Sequence, residues 1–203
     1  MAQKEDFIQK SILQAAMQLF HRHGLSKITM DDIAKAIGKS RSSLYYYYKN
    51  REEIFDAVMN ECLEEISSTI ALATESATGL ENKIKAFFQE KITTSIDKSS
   101  FYRALEYGMG ADEISIHRAT MATFHFELMK REAGILMSCF EESIRNGELK
   151  PASKKIIEEH VYIALSSIRG IKREIDYGNK NYIDPTSLIK TLSQIIIKNL
   201  QQS

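Results

Sequence analysis

The chain has 203 residues, with 27 Lys and Arg against 27 Asp and Glu, so its formal net charge is zero. That length suffices for one large or two small domains with a real core, and a neutral total by itself argues against a nucleic-acid binder. Cys62 and Cys139 form neither a disulfide framework nor a metal-ligand pair, which suits small buried residues in a reducing cytoplasm.

Acids at positions 5 and 6 and the lack of an apolar leader speak against a signal peptide. No apolar run approaches the roughly 18 residues of a membrane span, so a cytoplasmic protein without a membrane partner is expected. The distribution of charge is more telling than its sum. Residues 1–51 carry nine Lys and Arg against four acids, a net +5, which leaves −5 for the remainder. A basic head on an acidic body suits a head that meets phosphates. Only Pro151 and Pro185 could interrupt the long 3.6-residue periodicities, so the expected fold class is all-α.

The spacing predicts a first helix from Lys4 to His23, with Ile8, Ile12, Ala15, Ala16, Leu19 and Phe20 as its buried stripe and Gly24 at its C-terminal cap. Thr29 caps a short second helix, with Asp32 three positions on in a box-like arrangement. Met30, Ile33, Ala34 and Ile37 give that helix one apolar face, and Gly38 stops it. Ser40 is the N-cap of a third helix, Arg41 to Tyr47. There Leu44 and Tyr48 face inward, while Arg41, Ser42, Ser43, Tyr45, Tyr46 and Tyr47 cluster around the exposed side. Asn50 caps a fourth helix that runs to about Ser76, with Glu52 and Glu53 in its first turn.

A short helix, a glycine turn and a second helix presenting Arg, Ser and Tyr is the layout of a DNA-reading helix-turn-helix. An ordinary packed helical hairpin shares that periodicity. The four consecutive tyrosines favour the first reading. At about 100° per residue they point to every face of the helix and cannot all be buried, and an exposed phenol is a good donor to a phosphate oxygen.

The segments ILQAAMQLFHRHG and ITMDDIAKAIGKSRSSLYYYYKNREEIFDAV, about Ile12 to Val58, resemble the N-terminal domain of the TetR repressor family. Tyr47 and Arg51 stand where family members often have His and Lys, and both can still donate to phosphate. The resemblance implies roles position by position. Thr29 would present its hydroxyl and neighbouring amides to a phosphate. Lys39, Ser40, Arg41, Ser42 and Ser43 would lie at the front of the recognition helix, with Arg41 placed to grip guanine O6 and N7. Tyr45 and Tyr47 would bond phosphates, Tyr46 would reach a thymine methyl or sugar, and Lys49 and Arg51 would add charge at further phosphates.

The division expected is a DNA-binding domain at 1–52 and an effector-binding and dimerisation domain at 53–203. Within the latter, helices are expected near Leu80–Ser95, Ser100–Gly108, Glu113–Asn146, Lys154–Tyr177 and Pro185–Leu200, with Tyr177-Gly178-Asn179 as a closing turn. Its aromatic and methionine content suits an adaptable apolar pocket and equally an ordinary helical core. The resemblance implies an effector cavity, for which Phe88, Tyr102, Arg103, Glu106, Tyr107, His117, Met121, Phe124 and His125 are the candidate lining. His117 and His125 lie about 12 Å apart along a helix, too far for one metal ion, and no phosphate loop, HExxH or GxSxG is present. No metal, cofactor or catalytic activity is therefore expected.

Val161, Leu165, Ile168, Leu188, Leu192, Ile195 and Ile196 are the candidate dimer residues of the last two helices, where Ile195–Ile197 is more apolar than one face of a terminal helix requires. A four-helix dimer interface, as in the family, would bury the excess; closing the protomer core is the alternative. The function implied is a homodimeric repressor of a near-palindromic double-stranded DNA operator, released by a small, largely apolar effector. A transcriptional activator and a helical carrier or enzyme that never meets DNA remain open alternatives.

Overall fold

A computed structural model of the chain describes residues 2–176 and 184–202; the expected turn at Tyr177-Gly178-Asn179 falls outside them. The described residues form eight helices and no strand. These are α1 (Ala2–His23), α2 (Met30–Ala36), α3 (Arg41–Tyr47), α4 (Arg51–Ser76), α5 (Leu80–Leu105), α6 (Ala111–Arg145), α7 (Lys154–Asp176) and α8 (Pro185–Gln202). The two helices expected over 80–108 are one. The polar SIDKSS stretch contains no Gly or Pro to interrupt the backbone, and the Ser99 hydroxyl donates to the Ile96 carbonyl within the helix at 2.7 Å. The helix α6 starts at Ala111, two residues before the expected Glu113, whose carboxylate accepts the Gly110 N–H at 2.9 Å.

By packing, the chain falls into two compact units, residues 1–64 with 96–124, and residues 65–95 with 125–203. The expected domain boundary at residue 52 lies inside the first unit, at the start of α4. In that unit Ile12, Ala16, Phe20, Ile33, Leu44, Ile54 and Val58 are buried, and Phe20 meets Phe55 edge-on at 6.0 Å. Each such Val, Leu, Ile or Phe side chain contributes about 1.5–3 kcal/mol by leaving water. Gly24 ends α1 at φ +83°, and a Cβ there would lie 2.3 Å from the Tyr107 carbonyl oxygen. Only glycine fits this position. The Leu25 N–H then donates to the Leu105 carbonyl at 3.1 Å, so the loop leaving α1 is docked on the end of α5.

In the second unit α5 and α6 run antiparallel. The Leu80 N–H donates to Glu148, Lys83 pairs with Glu142 and Lys91 with Glu132, so partner numbers fall along α6 as they rise along α5. Phe87, Phe88, Leu136 and Phe140 are fully buried in this unit. The helices α7 and α8 pack on each other, and the His160 ring of α7 contacts the Asn199 side chain of α8 at 2.8 Å. Among the described residues no helix is long and apolar enough to cross a membrane.

Candidate nucleic-acid interface

The first unit carries the basic head, and its geometry follows from three capping arrangements. Thr29 begins α2 with a full capping box: its hydroxyl accepts the Asp32 N–H at 3.3 Å, and Asp32 accepts the Thr29 N–H at 2.9 Å. The Thr29 hydroxyl also donates to Asp32 at 2.6 Å, and these bonds hold the Asp32 carboxyl below its ordinary range. Gly38, at φ +63°, turns the chain out of α2. Ser40 then caps α3, accepting the Ser43 N–H at 3.2 Å, with the Ser42 and Ser43 hydroxyls 3.0 and 2.9 Å from its own. Asn50 accepts the Glu53 N–H at 2.8 Å and caps α4.

This scaffold presents one side of α3. Leu44 is 1% exposed and seats the helix on α1 and α2, whereas Arg41, Ser42, Ser43, Tyr45 and Tyr46 are exposed, Tyr46 by 75%. Tyr47 is half-buried, with its ring 5.0 Å from Tyr46 in an edge-on pair. Tyr48, expected to face inward with Leu44, is half-buried as the C-cap residue, and burial pushes its phenol pKa up. Arg41 donates to the Tyr45 hydroxyl at 3.0 Å and lies 3.4 Å from the Asp31 carboxylate. Beside this face, Ile8, Ile12, Ile37, Lys39, Ser43, Leu44, Tyr46 and Tyr47 line a notch of about 240 Å³. Lys39 and Lys49 are exposed; the Lys49 backbone N–H donates to Glu53 at 2.7 Å.

Arg51 is used differently from the expectation. One guanidinium nitrogen donates to the carbonyls of Leu25, Ser26 and Ile28 at 3.1, 3.2 and 3.3 Å, and the others bond Glu52. The side chain is spent holding the α1–α2 loop, so a free charge for a phosphate is not what it offers. Asp31, in the first turn of α2, is the counter-charge beside Arg41. Its partner sits ten residues away across the turn, and no local pattern announces the pair.

The candidate effector residues are divided between the two units. Tyr102 stacks near Phe124 at 5.7 Å, and His117 is 5% exposed with its ring 6.0 Å from Phe55, all within the first unit. There His117 Nδ1 is buried without a hydrogen-bond partner, and burial lowers the ring's pKa. Met121 is half-buried, whereas Arg103, Glu106 and Tyr107 are exposed. Phe88 and His125 belong to the second unit.

The expected dimer residues need a correction too. Val161, Leu165, Ile168 and Ile196 are at most 3% exposed inside a single protomer, so they close its own core and have no surface left to present. Leu188 and Leu192 are half-buried. The apolar side chains that α7 and α8 leave in solvent are Tyr162, Ile163 and Ile195, at 66%, 56% and 60% exposure.

Comparison with known proteins agrees with this geometry. Residues 12–58 match the family described as bacterial regulatory proteins, tetR family. The chain is 28% identical over 167 residues to the uncharacterised HTH-type transcriptional regulator YhgD of Bacillus subtilis, covering 77% of this chain and 81% of that one. It is 39% identical over 51 residues to IcaR, the negative transcriptional regulator of the biofilm operon icaADBC in Staphylococcus epidermidis, a match spanning 25% of this chain and 28% of that one. Among solved structures it resembles the fatty acid degradation regulator FadR of Bacillus halodurans, with TM-score 0.62 and 18% identity over 93% of this chain and 94% of that one, a likeness of fold. Residues 12–58 thus form an N-terminal domain of the TetR family of transcriptional regulators.

Proposed function

We propose that the protein is a homodimeric repressor that reads a near-palindromic DNA operator with α3 and is released by a small molecule bound in its helical body. The observation that carries this reading is the outward face of α3. Leu44 anchors the helix while Arg41, Ser42, Ser43, Tyr45 and Tyr46 stand in solvent on a head of net charge +5. Arg41 supplies base readout and the tyrosines and Lys39 position the helix on phosphates. Thr29 and Ser40 act through the backbone amides their caps arrange, and Arg51 acts through the loop it holds. Lys49 adds an exposed charge beside α4.

Two heads reading half-sites about 34 Å apart require a two-fold assembly. The exposed Tyr162, Ile163 and Ile195, with the half-buried Leu188 and Leu192, are the surface we assign to it. A ligand releases DNA only by preferring the body conformation that separates the heads wrongly. Selection of genomic fragments with the purified full chain tests the reading. Enrichment of one near-palindrome is expected; recovery of unrelated fragments in proportion to their abundance would overturn it.

A further inference from the structure

The tyrosines of α3 are not equivalent. Tyr46 and Tyr47 line the notch with Ser43 and Lys39, against Ile8 and Ile12 of α1. Tyr45 takes no part in that wall. It stands one helical turn beyond Arg41, at the spacing that puts two side chains on one face. Its hydroxyl accepts a hydrogen bond from Arg41 Nη2 at 3.0 Å, and the guanidinium carbon lies 5.4 Å from its ring centre.

Arg41 is thus held from two sides. Its Nε lies 3.4 Å from the Asp31 carboxylate on α2 and its Nη1 3.5 Å from the same group, while Nη2 belongs to Tyr45 on α3 itself. The two restraints differ in what survives docking. A base edge has to replace Asp31, because both compete for the same charged donors. Tyr45 shares a helix with Arg41, so its bond persists as that helix enters a groove.

The donor inventory allows this. A guanidinium carries five N–H donors in one plane, so a single bond from Nη2 to Tyr45 leaves another N–H there, and those of Nη1, for guanine O6 and N7. The phenol, in accepting from Arg41, keeps its own hydrogen for a phosphate oxygen. The Arg41 side chain is 61% exposed. Once released from Asp31 it would otherwise have to be ordered by the base alone, at the cost of its rotamer freedom.

We infer that Tyr45 is a positioning residue for base recognition: its hydroxyl aims the Arg41 guanidinium and so sets how strictly one G·C pair is read. The inference rests on the reading of α3 as the DNA-recognition helix and names a residue that sets its specificity.

The test compares Tyr45→Phe, Arg41→Ala and the double variant of the full chain by fluorescence anisotropy. The duplexes are the selected operator and versions with each G·C pair of the half-sites replaced by A·T in turn. Tyr45 is 42% exposed and Phe keeps the ring, so the fold should tolerate the change. A phosphate bond lost with the hydroxyl weakens every duplex alike and cancels from the ratio of affinities. Arg41→Ala should abolish the preference at one G·C pair. Tyr45→Phe should reduce the preference at that same pair by about fivefold, a share of what one hydrogen bond to a charged group is worth, and leave the other pairs unchanged. Added to Arg41→Ala, it should change no ratio further. Equal weakening of all duplexes by Tyr45→Phe, or ratios narrowed as much in the Arg41→Ala background as in the wild type, would overturn the positioning role and leave α3 as the reader. Arg41→Ala retaining every preference would overturn Arg41 as base reader and the role of Tyr45 with it.

Discussion

The Arg41 guanidinium, the base reader we assign to α3, rests 3.4 Å from the carboxylate of Asp31 on the preceding helix. Both side chains are about half exposed, so the pair adds at most about 1 kcal/mol to the free head. Its consequence is for binding, because Arg41 must leave Asp31 to reach a base and Asp31 then faces the phosphates. Asp31→Asn should therefore tighten operator binding a few-fold, read by fluorescence anisotropy. Arg41→Ala should cost roughly 1–3 kcal/mol and flatten the preference between matched and mismatched operators. Equal losses on both would remove Arg41 as a reader.

Arg51 is expected to matter for stability first. Replacing it by Ala orphans three loop carbonyls and should cost about 1.5–3 kcal/mol in urea unfolding. Lysine should recover little, because a single ammonium on a flexible stem does not reproduce the planar fork that bonds the loop and Glu52 together. Full rescue by Arg51→Lys would show that only the charge counts.

Two glycines with positive φ separate conformation from space. Gly38→Ala meets no neighbouring atom and carries only the left-handed penalty, about 1–2 kcal/mol. Gly24→Ala carries that penalty and a collision with the Tyr107 carbonyl, so it should be the more damaging of the two. Thermal unfolding of the pair of variants decides the order.

The stability of the protein should fall on mild acidification through His117. Its folded pKa lies below the ordinary value of about 6.5 because burial disfavours the imidazolium, although the Glu106 carboxylate opposes this. Below about pH 6.5 the unfolded chain therefore takes up more protons than the folded one. Stability is full above that pH and declines as pH falls from 6.5 through the folded pKa. His125 has the same sign. His117→Leu should shallow this acid slope in urea titrations, and an unchanged slope would count against it.

If Tyr162, Ile163 and Ile195 form the two-fold surface, Ile163→Glu with Ile195→Glu should yield folded monomers by sedimentation and weaken operator binding. Both side chains already stand in solvent in one protomer, so the fold itself should tolerate the change. A double variant that sediments as the wild type does would place the interface elsewhere.

Much of the head was legible in the sequence because its signals are local. Thr29 with Asp32, Gly38, Ser40 and Asn50 each act within three or four residues, and Leu44 is fixed by helical spacing alone. The body was less legible for physical reasons. SIDKSS looks like a connection, yet nothing in it stops a helix, and polar residues on an exposed helical face cost little. Val161, Leu165, Ile168 and Ile196 showed that the terminal helices carry apolar faces, but periodicity does not say whether a face meets its own protomer or a partner. Pairs such as Arg51 with Leu25, or Lys91 with Glu132, join positions tens of residues apart and leave no sequence pattern.

The most direct test of the central claim is the affinity of the purified protein for its selected near-palindrome and for a scrambled duplex of the same length, measured across a salt series. Both affinities should fall with salt through shared phosphate contacts, while the selected duplex stays tighter by about a thousandfold or more. Two indistinguishable curves would mean that α3 holds phosphates without reading bases, and the repressor reading would fail.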